Sequence, residues 1–392
     1  MNNFDNADQI SDNAPLSGLR VVTLEQAIAA PLCTRYLADL GADVIKIERP
    51  DGGDFARRYD RTAGSVSSWF VWANRGKRSL TLDLKNEHDL AVLHKLIGRA
   101  DIFVQNLAPG AAERLSLGHQ TLRAKHPQLI TCSISGYGDS GPYRDRKAFD
   151  LLLQGEAGVL AITGGPDDPA KTGISVSDVS AAMYALSSIL AALLQRGLTG
   201  QGRHIDISML DTTVEWLGGP FYYQMYTGKR PGRAGMRHNM IVPYGPYKAR
   251  DGYVNLAVQN ETQWERLCAV VLEQPQLASD PLYDTNPRRV ANRAALERLI
   301  EDYFADYSVE QLEARLEKAD VPFGRLNELE AVANHPQLLA RERFIEVSGP
   351  EGQPLRVLAN PFGLEGLPQN RGGVPALGQH NAEILAELEG EL

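Results

Sequence analysis

The chain has 392 residues, of which 43% are apolar and 23% charged, with a formal net charge of -9. That length accommodates two domains and a sizeable core. The acidic balance offers no general attraction to nucleic acid or to an anionic membrane. The three cysteines, Cys33, Cys132 and Cys268, stand far apart without C-x-x-C spacing. They argue against a disulfide scaffold or a cysteine zinc site and make the cytoplasm the expected location.

Residues 1–18 are polar and acidic, with no basic stretch leading into an apolar one, so the spacing predicts a tail rather than a signal peptide. "LRVVTLE" from Leu19 reads as a buried strand. "PLCTRYLADLG" reads as a helix with proline near its start and Gly41 as its stop, and "ADVIKIE" as a second strand. This is a βαβ unit, which predicts a parallel sheet. "RSLTLDL", "DIFVQNL" and "LITCSISGYG" continue the strands, with helices predicted at "EHDLAVLHKLIGRA" and "AAERLSLG". A long small-residue helix follows over 177–200, and "GQGRHIDISML" returns as a strand. No apolar run reaches the roughly 18 unbroken residues of a membrane span.

From Trp216 to Met240 aromatics, glycines and basic residues crowd together, as in a crossing segment. "YKARDGYVNLAVQ" reads as a hairpin around Asp251 and Gly252. Three helical segments follow. The expected organisation is a tail over 1–18, a large α/β domain over 19–224, a small helix-rich domain over 225–330, and a return to the large domain over 331–392.

The expected fold class is therefore α/β, with a Rossmann-like parallel sheet. Yet "LEQAIAAP" replaces the G-x-G-x-x-G of dinucleotide binders after the first strand. There is no P-loop, no G-x-S-x-G and no H-E-x-x-H. What remains is a set of polar, glycine-rich loops: "ERPDGGDFARR", "ANRGKRS" and "QNLAPGAAER". Arg49, Arg57, Arg58, Arg75, Lys77 and Arg78, with backbone N–H groups near Ala111, are parts from which a diphosphate site can be built. They are equally the parts of ordinary solvated loops. Asp150, opening the apolar run "DLLLQGEAG", reads by itself as a helix cap.

Seven stretches in order carry a resemblance: "QAIAAPLCTRYLADLGADVIKIERPDGGD", "NRGKRSLTLDLK", "DIFVQNLAPGAAERL", "SISGYGDSGP", "FDLLLQGEAGVLAITG", "GQGRHIDISMLD" and "PALGQHNAEIL". Together the chain resembles the family III CoA-transferases, the group of formyl-CoA:oxalate and carnitine CoA-transferases. The resemblance implies that Asp150 is a covalent nucleophile. It places coenzyme A near Gln26, Arg49, Asn106, Arg114 and Tyr137. Asp139, Arg233, Arg237 and His238 are weaker candidates for the substrate. Gly155 and Gly158 are expected to allow close backbone approach near Asp150. No permanently bound cofactor is implied, only coenzyme A and its thioesters as substrates. An interlocked homodimer is.

The chain is also similar to α-methylacyl-CoA racemase, which needs two proton carriers. One is a histidine directly before the aspartate. Here Phe149 stands there, while Asp178 matches the other acid and is expected to support the helix it opens. A protein that binds coenzyme A without turnover is a further alternative. The oxalate enzymes carry a glycine run in the second domain that is absent from "PYGPYKARDGY". The resemblance instead favours succinyl-CoA as donor and a C4–C5 dicarboxylate as acceptor: malate, citramalate, mesaconate, itaconate or glutarate.

Overall fold

A computed structural model describes residues 14–370 and 372–390, so residues 1–13 of the expected tail lie outside the described residues. By compactness the chain forms two units. The larger comprises the chain up to Ala157, Gly173–Leu217, and the chain from Pro336 on. The smaller comprises Gly158–Thr172 and Gly218–His335.

The larger unit is built on a six-stranded sheet: β1 (Arg20–Leu24), β2 (Asp43–Glu48), β3 (Arg78–Thr81), β4 (Ile102–Gln105), β5 (Ile130–Ser135) and β6 (His204–Ser208). The order is β3-β2-β1-β4-β5-β6, and every pair is parallel. Strands covered on both faces need continuous apolar runs, and Val21, Val22, Ile45, Ile102 and Val104 are all buried. The chain leaves β1 toward β2 on one side and continues from β4 on the other. The loops after β1 and β4 therefore part at the switch point, where open α/β sheets hold their ligands. Gln26 follows β1 and Asn106 follows β4.

The first helix spans Ala29–Asp39, with Pro31 in its first turn where no N–H is missed. The long helix spans Val176–Thr199 and ends at Gly200 in the left-handed region. Its length and hydropathy reach what a membrane crossing requires, a point the broken apolar runs did not suggest. Its stripe of Ala181, Ala182, Ala185, Leu186 and Ile189 is instead buried in the core shared with the first helix and the sheet.

A hairpin, β10 (Phe344–Ser348) and β11 (Pro354–Leu358), belongs to the C-terminal return. The last helix, Asn381–Glu389, is tied to β3. Ser79 N–H donates to His380 Nδ1 at 3.0 Å and Thr81 N–H to Asn381 Oδ1 at 2.9 Å. Arg78 pairs with Glu383 and Glu387.

In the smaller unit, β7 (Tyr244–Lys248), β8 (Tyr253–Ala257) and β9 (Phe323–Arg325) form an antiparallel sheet. Helices Arg293–Phe304 and Val309–Lys318 belong to the same unit. Tyr247, Trp264, Phe304 and Leu312 make its core. Ser308 and Gln311 close the second of these helices with a reciprocal capping box.

Candidate active site

Asp150 is the first residue of the helix Asp150–Ala157. Its carboxylate does not cap that helix. Oδ1 accepts the backbone N–H of Ser177 at 2.9 Å, in the first turn of the long helix, and Oδ2 accepts Gln154 Nε2 at 2.7 Å. Ser175, at the N-cap of the long helix, makes no side-chain cap bond. Asp150 thus supplies from another helix the acceptor that a helix N-terminus needs, and the helix dipole favours negative charge there. A close approach brings Asp150 to this place. A Cβ on Gly136, in the "SGYG" turn after β5, would lie 2.3 Å from the Ala148 Cβ. Only glycine lets the turn pass so near the segment that leads into Asp150.

Asp178 lies in the same first turn of the long helix. Burial of its carboxyl, and then the charge of Asp150, push it up to about 7, while the Ala29 backbone acts in the lowering direction. The residue was expected to cap or support the helix it opens, and it lies as the acidic residue of that helix's first turn, where the helix dipole favours negative charge.

The loop between β1 and the first helix is pinned from three sides. Asn106 Oδ1 accepts Gln26 N–H at 2.9 Å, and its Nδ2 donates to Gln26 O at 2.9 Å. Asp54 Oδ1 accepts Ala27 N–H at 3.1 Å, which holds Ala27 at φ 61, a left-handed conformation costly for a residue with a Cβ. Lys77 Nζ donates to Pro31 O at 2.8 Å.

Behind the loop lies a fully buried ion network. Glu25 receives Lys77 at 2.6 Å, Lys46 at 3.4 Å, Thr23 at 2.8 Å and Thr34 at 2.7 Å. Lys46 also pairs with Asp54 at 2.9 Å. Burial alone would raise Glu25, but the Lys77 and Lys46 ammoniums outweigh it and hold the carboxyl at about 2. Burial brings Lys77 down to about 8 against the pull of Glu25.

This network corrects the reading of the cationic loops. Lys77 serves Glu25, Arg75 clamps Asp39 at 2.7 Å, Arg57 pairs with Glu48 at 2.6 Å, and Arg78 pairs with Asp43. These side chains neutralise buried or half-buried carboxylates. Arg58 is exposed and donates to Gly52 O. Arg49 is exposed as well, 3.6 Å from Asp51. Arg114 ends the one-turn helix Ala111–Arg114, its guanidinium lying over Gly110, and it makes no ion pair among the described residues. The Ala111 N–H expected for an anion is already donated to Ala108 O.

Tyr137 donates from its hydroxyl to Glu156 at 3.0 Å, and so touches the Asp150 helix. Asp139 is exposed, and its N–H is accepted by Asp206 at 3.0 Å. Gly155 faces open space, with no atom within 4 Å of a Cβ built on it, so no close approach occurs there within the chain. Gly158 takes φ 91 at the end of the Asp150 helix.

Three candidates lie in the smaller unit. Arg233 donates to the carbonyls of Gly165 and Pro166. Arg237 pairs with Glu297 at 2.7 Å and with Glu301, and lies over the Tyr247 ring. His238 stacks on Tyr244 and accepts Met240 N–H. Burial, and then Arg293, lower its titration.

The structure therefore brings Asp150, Ser177 and Gln154 into one hydrogen-bonded set, and Gln26, Asn106, Ala27 and Asp54 into another. Ser177 and Gln154 were not anticipated. Their signal was the spacing of Gln154 four residues after Asp150 on a helix, together with an unpartnered helix start near 176.

These features find close parallels among known proteins. The profile of CoA-transferase family III matches residues 16–381. The succinate–glutarate CoA-transferase of Agrobacterium fabrum is 35% identical, covering 97% of this chain and 98% of that one. The succinyl-CoA:mesaconate CoA-transferase of Haloarcula hispanica is 36% identical over 95% and 96%. The acetyl-CoA:oxalate CoA-transferase of Acetobacter aceti is 35% identical over 95% and 96%. A CAIB/BAIF family protein from Brucella suis superposes with a TM-score of 0.84 at 36% identity, covering 96% of this chain and 100% of its own. The chain belongs to CoA-transferase family III. Its activity is that of an acyl-CoA:carboxylate CoA-transferase.

Proposed function

We propose that the protein moves coenzyme A from succinyl-CoA to a C4–C5 dicarboxylic acid through covalent intermediates on Asp150. The observation that carries the reading is the bonding of Asp150: each oxygen is held by one donor, and the carboxylate sits at the N-terminus of a 24-residue helix. A carboxylate so oriented attacks the thioester carbon and forms a mixed anhydride. The coenzyme A sulfur then attacks the aspartyl carbonyl and releases the donor acid. The acceptor attacks the resulting aspartyl thioester, and the sulfur returns to the acceptor's acyl carbon. The exchange is divided into easier covalent steps. Charge developing on the aspartyl oxygen when its carbonyl is attacked is stabilised by the preorganised N–H of Ser177.

Glutarate and mesaconate in the names of relatives support the acceptor class. Oxalate in a third name, at the same identity, makes a shorter diacid the second reading. Racemisation is disfavoured because Phe149, beside Asp150, carries no proton. Gln26 and Asn106 at the switch point, with Arg49, Arg114 and Tyr137, are the proposed contacts for coenzyme A. Asp139, Arg233, Arg237 and His238 are proposed for the acceptor.

We extend the reading to an interlocked homodimer in the cytoplasm. It is supported by exposed apolar side chains that a partner would cover, including Phe149, Leu151, Leu152, Leu194 and Leu198. Three free, buried cysteines suit a reducing compartment.

The test is incubation with succinyl-CoA and single carboxylic acids, with mass spectrometry for each new thioester and Asp150→Ala in parallel. A glutaryl, mesaconyl or related thioester that disappears in the variant is expected. A product that persists in the variant refutes the role of Asp150. Oxalyl-CoA as the sole product refutes the C4–C5 class.

A further inference from the structure

Ala27 takes φ 61 in the short loop between β1 and the first helix. Among the described residues, four other non-glycine residues share the left-handed region: Ser116, Glu273, Asp320 and Glu342. Each of those stands two residues past the end of a helix, where such a turn is routine. Ala27 instead comes before a helix. A residue with a Cβ keeps this conformation only where its surroundings hold it.

Asp54 is what holds it. β1 and β2 are parallel neighbours, so the loops that follow them leave the same edge of the sheet. The loop after β2 turns through Gly52 and Gly53, both at positive φ, and reaches Asp54. Asp54 Oδ1 accepts Ala27 N–H at 3.1 Å and Ala56 N–H at 2.9 Å, and Oδ2 accepts Lys46 Nζ at 2.9 Å. The Asp54 N–H is donated to Glu48 Oε1 at 3.0 Å. Asp54 is 2% exposed and Lys46 0%, so the carboxylate is fixed through both oxygens away from water.

Each of these two loops carries a proposed contact for coenzyme A. From Val21 to Arg35 every residue is buried except Gln26 and Ala27. Both backbone polar groups of Gln26 are taken by Asn106, while its side-chain amide has no hydrogen-bond partner among the described residues. Arg49 opens the loop after β2, its carbonyl accepting Gly53 N–H at 3.1 Å.

We propose that Asp54 is a positioning residue for acyl-CoA binding: through Ala27 it holds the loop after β1 in the left-handed turn that presents Gln26, and it ties that loop to the one carrying Arg49. This rests on the reading of Gln26 as a coenzyme A contact and is independent of the role given to Asp150. Without the Asp54 acceptor Ala27 relaxes to negative φ, the competent loop is populated only in part, and affinity falls by that fraction.

The experiment is a double-mutant cycle of Asp54→Asn and Ala27→Gly in the full chain, reading coenzyme A affinity by calorimetry and stability by thermal melt. In Asp54→Asn the Lys46 ammonium claims the one remaining acceptor oxygen, and the side-chain amide N–H groups face Ala27 N–H. Coenzyme A should bind about 10- to 30-fold more weakly. In the Ala27→Gly background the same change should cost less than about 3-fold, because glycine takes positive φ without help. The melt should fall by a similar amount in both backgrounds, since buried Lys46 loses an anion in either. Rescue of binding without rescue of the melt separates positioning from a purely structural role. Equal weakening of binding in both backgrounds would overturn the proposal.

If Asp54→Asn does not fold, Ala27→Thr and Ala27→Asn decide with Asp54 intact. The two side chains are close in size, but asparagine tolerates the left-handed region and a β-branched residue does not. Coenzyme A should bind Ala27→Thr about 10-fold more weakly than Ala27→Asn, and equal affinities would overturn the proposal. If Gln26→Ala binds coenzyme A as wild type does, the contact reading fails and this inference with it. Weakened binding in Gln26→Ala, with no rescue in the cycle, removes only the inference.

Discussion

Ser177 donates its backbone N–H to Oδ1 of Asp150 at 2.9 Å, so the carboxylate that opens one helix closes the start of another. The relationship explains how an exposed segment presents a fixed carboxylate. Phe149, Leu151 and Leu152 around it are exposed, and the anchor comes from the buried side, through Ser177 and Gln154.

Gln154→Leu removes the donor on Oδ2 while keeping an apolar side chain of similar size in the buried site. A hydrogen bond to a charged group contributes roughly 1.5–3 kcal/mol. The rate of Asp150 adduct formation should fall about 10- to 100-fold. Rapid-quench mass spectrometry checks it, and an unchanged rate would remove Gln154 from the site.

Asn106→Ala cuts both ties to the Gln26 backbone. Two hydrogen bonds near 1 kcal/mol each predict a KM for acyl-CoA raised roughly 5- to 30-fold. The expected split is a larger effect on KM than on kcat, read from steady-state kinetics.

Asp178→Asn should be more stable than wild type at pH 8. The folded-state titration of Asp178 is raised to about 7 from an ordinary value of 3.8. The native protein therefore holds that proton more tightly than the unfolded chain, and stability falls as pH rises from about 4 through about 7. The amide is spared this loss. Thermal melts should show a gap at pH 8 that shrinks toward pH 5.

Glu25 behaves in the opposite sense. It and Glu48 are each held at about 2 from an ordinary 4.5. Both are raised by burial but lowered further by cations, Lys77 and Lys46 for Glu25, Arg57 and Lys46 for Glu48. Their stabilisation is fully present above about pH 4.5 and is lost as pH falls toward 2. Glu25→Gln should flatten part of that slope in acid melts. At neutral pH it should cost about 3–5 kcal/mol, because Lys77 is left buried without its partner.

Arg237→Met tests whether that side chain serves the acceptor or the small unit. As a proposed acceptor contact it predicts an acceptor KM raised more than about 10-fold, and its pairs with Glu297 and Glu301 predict a loss of about 1–3 kcal/mol in stability. A lowered melt with less than about a 3-fold change in acceptor KM would assign Arg237 to the small unit alone.

Local pattern carried much of the architecture. Apolar runs bounded by glycine and proline marked β1, β2, β4 and β5, and the βαβ spacing implied their parallel pairing, because period and punctuation are properties of neighbouring residues. The ordered family motifs singled out Asp150. Distance along the chain hid the rest. Arg75 and Lys77 looked like solvated loop charges because Asp39 and Glu25, their partners, lie 36 and 52 residues away. The same holds for Asp150 and Ser177, 27 residues apart. A helix cap is visible in sequence when acceptor and donor are neighbours; here the acceptor comes from another helix, and only packing brings them within hydrogen-bond reach. The sequence by itself determined a parallel α/β protein of CoA-transferase type with a candidate nucleophile. Tertiary structure alone decided which charges neutralise each other and which helix start the Asp150 carboxylate closes, because burial and long-range pairing depend on the folded chain.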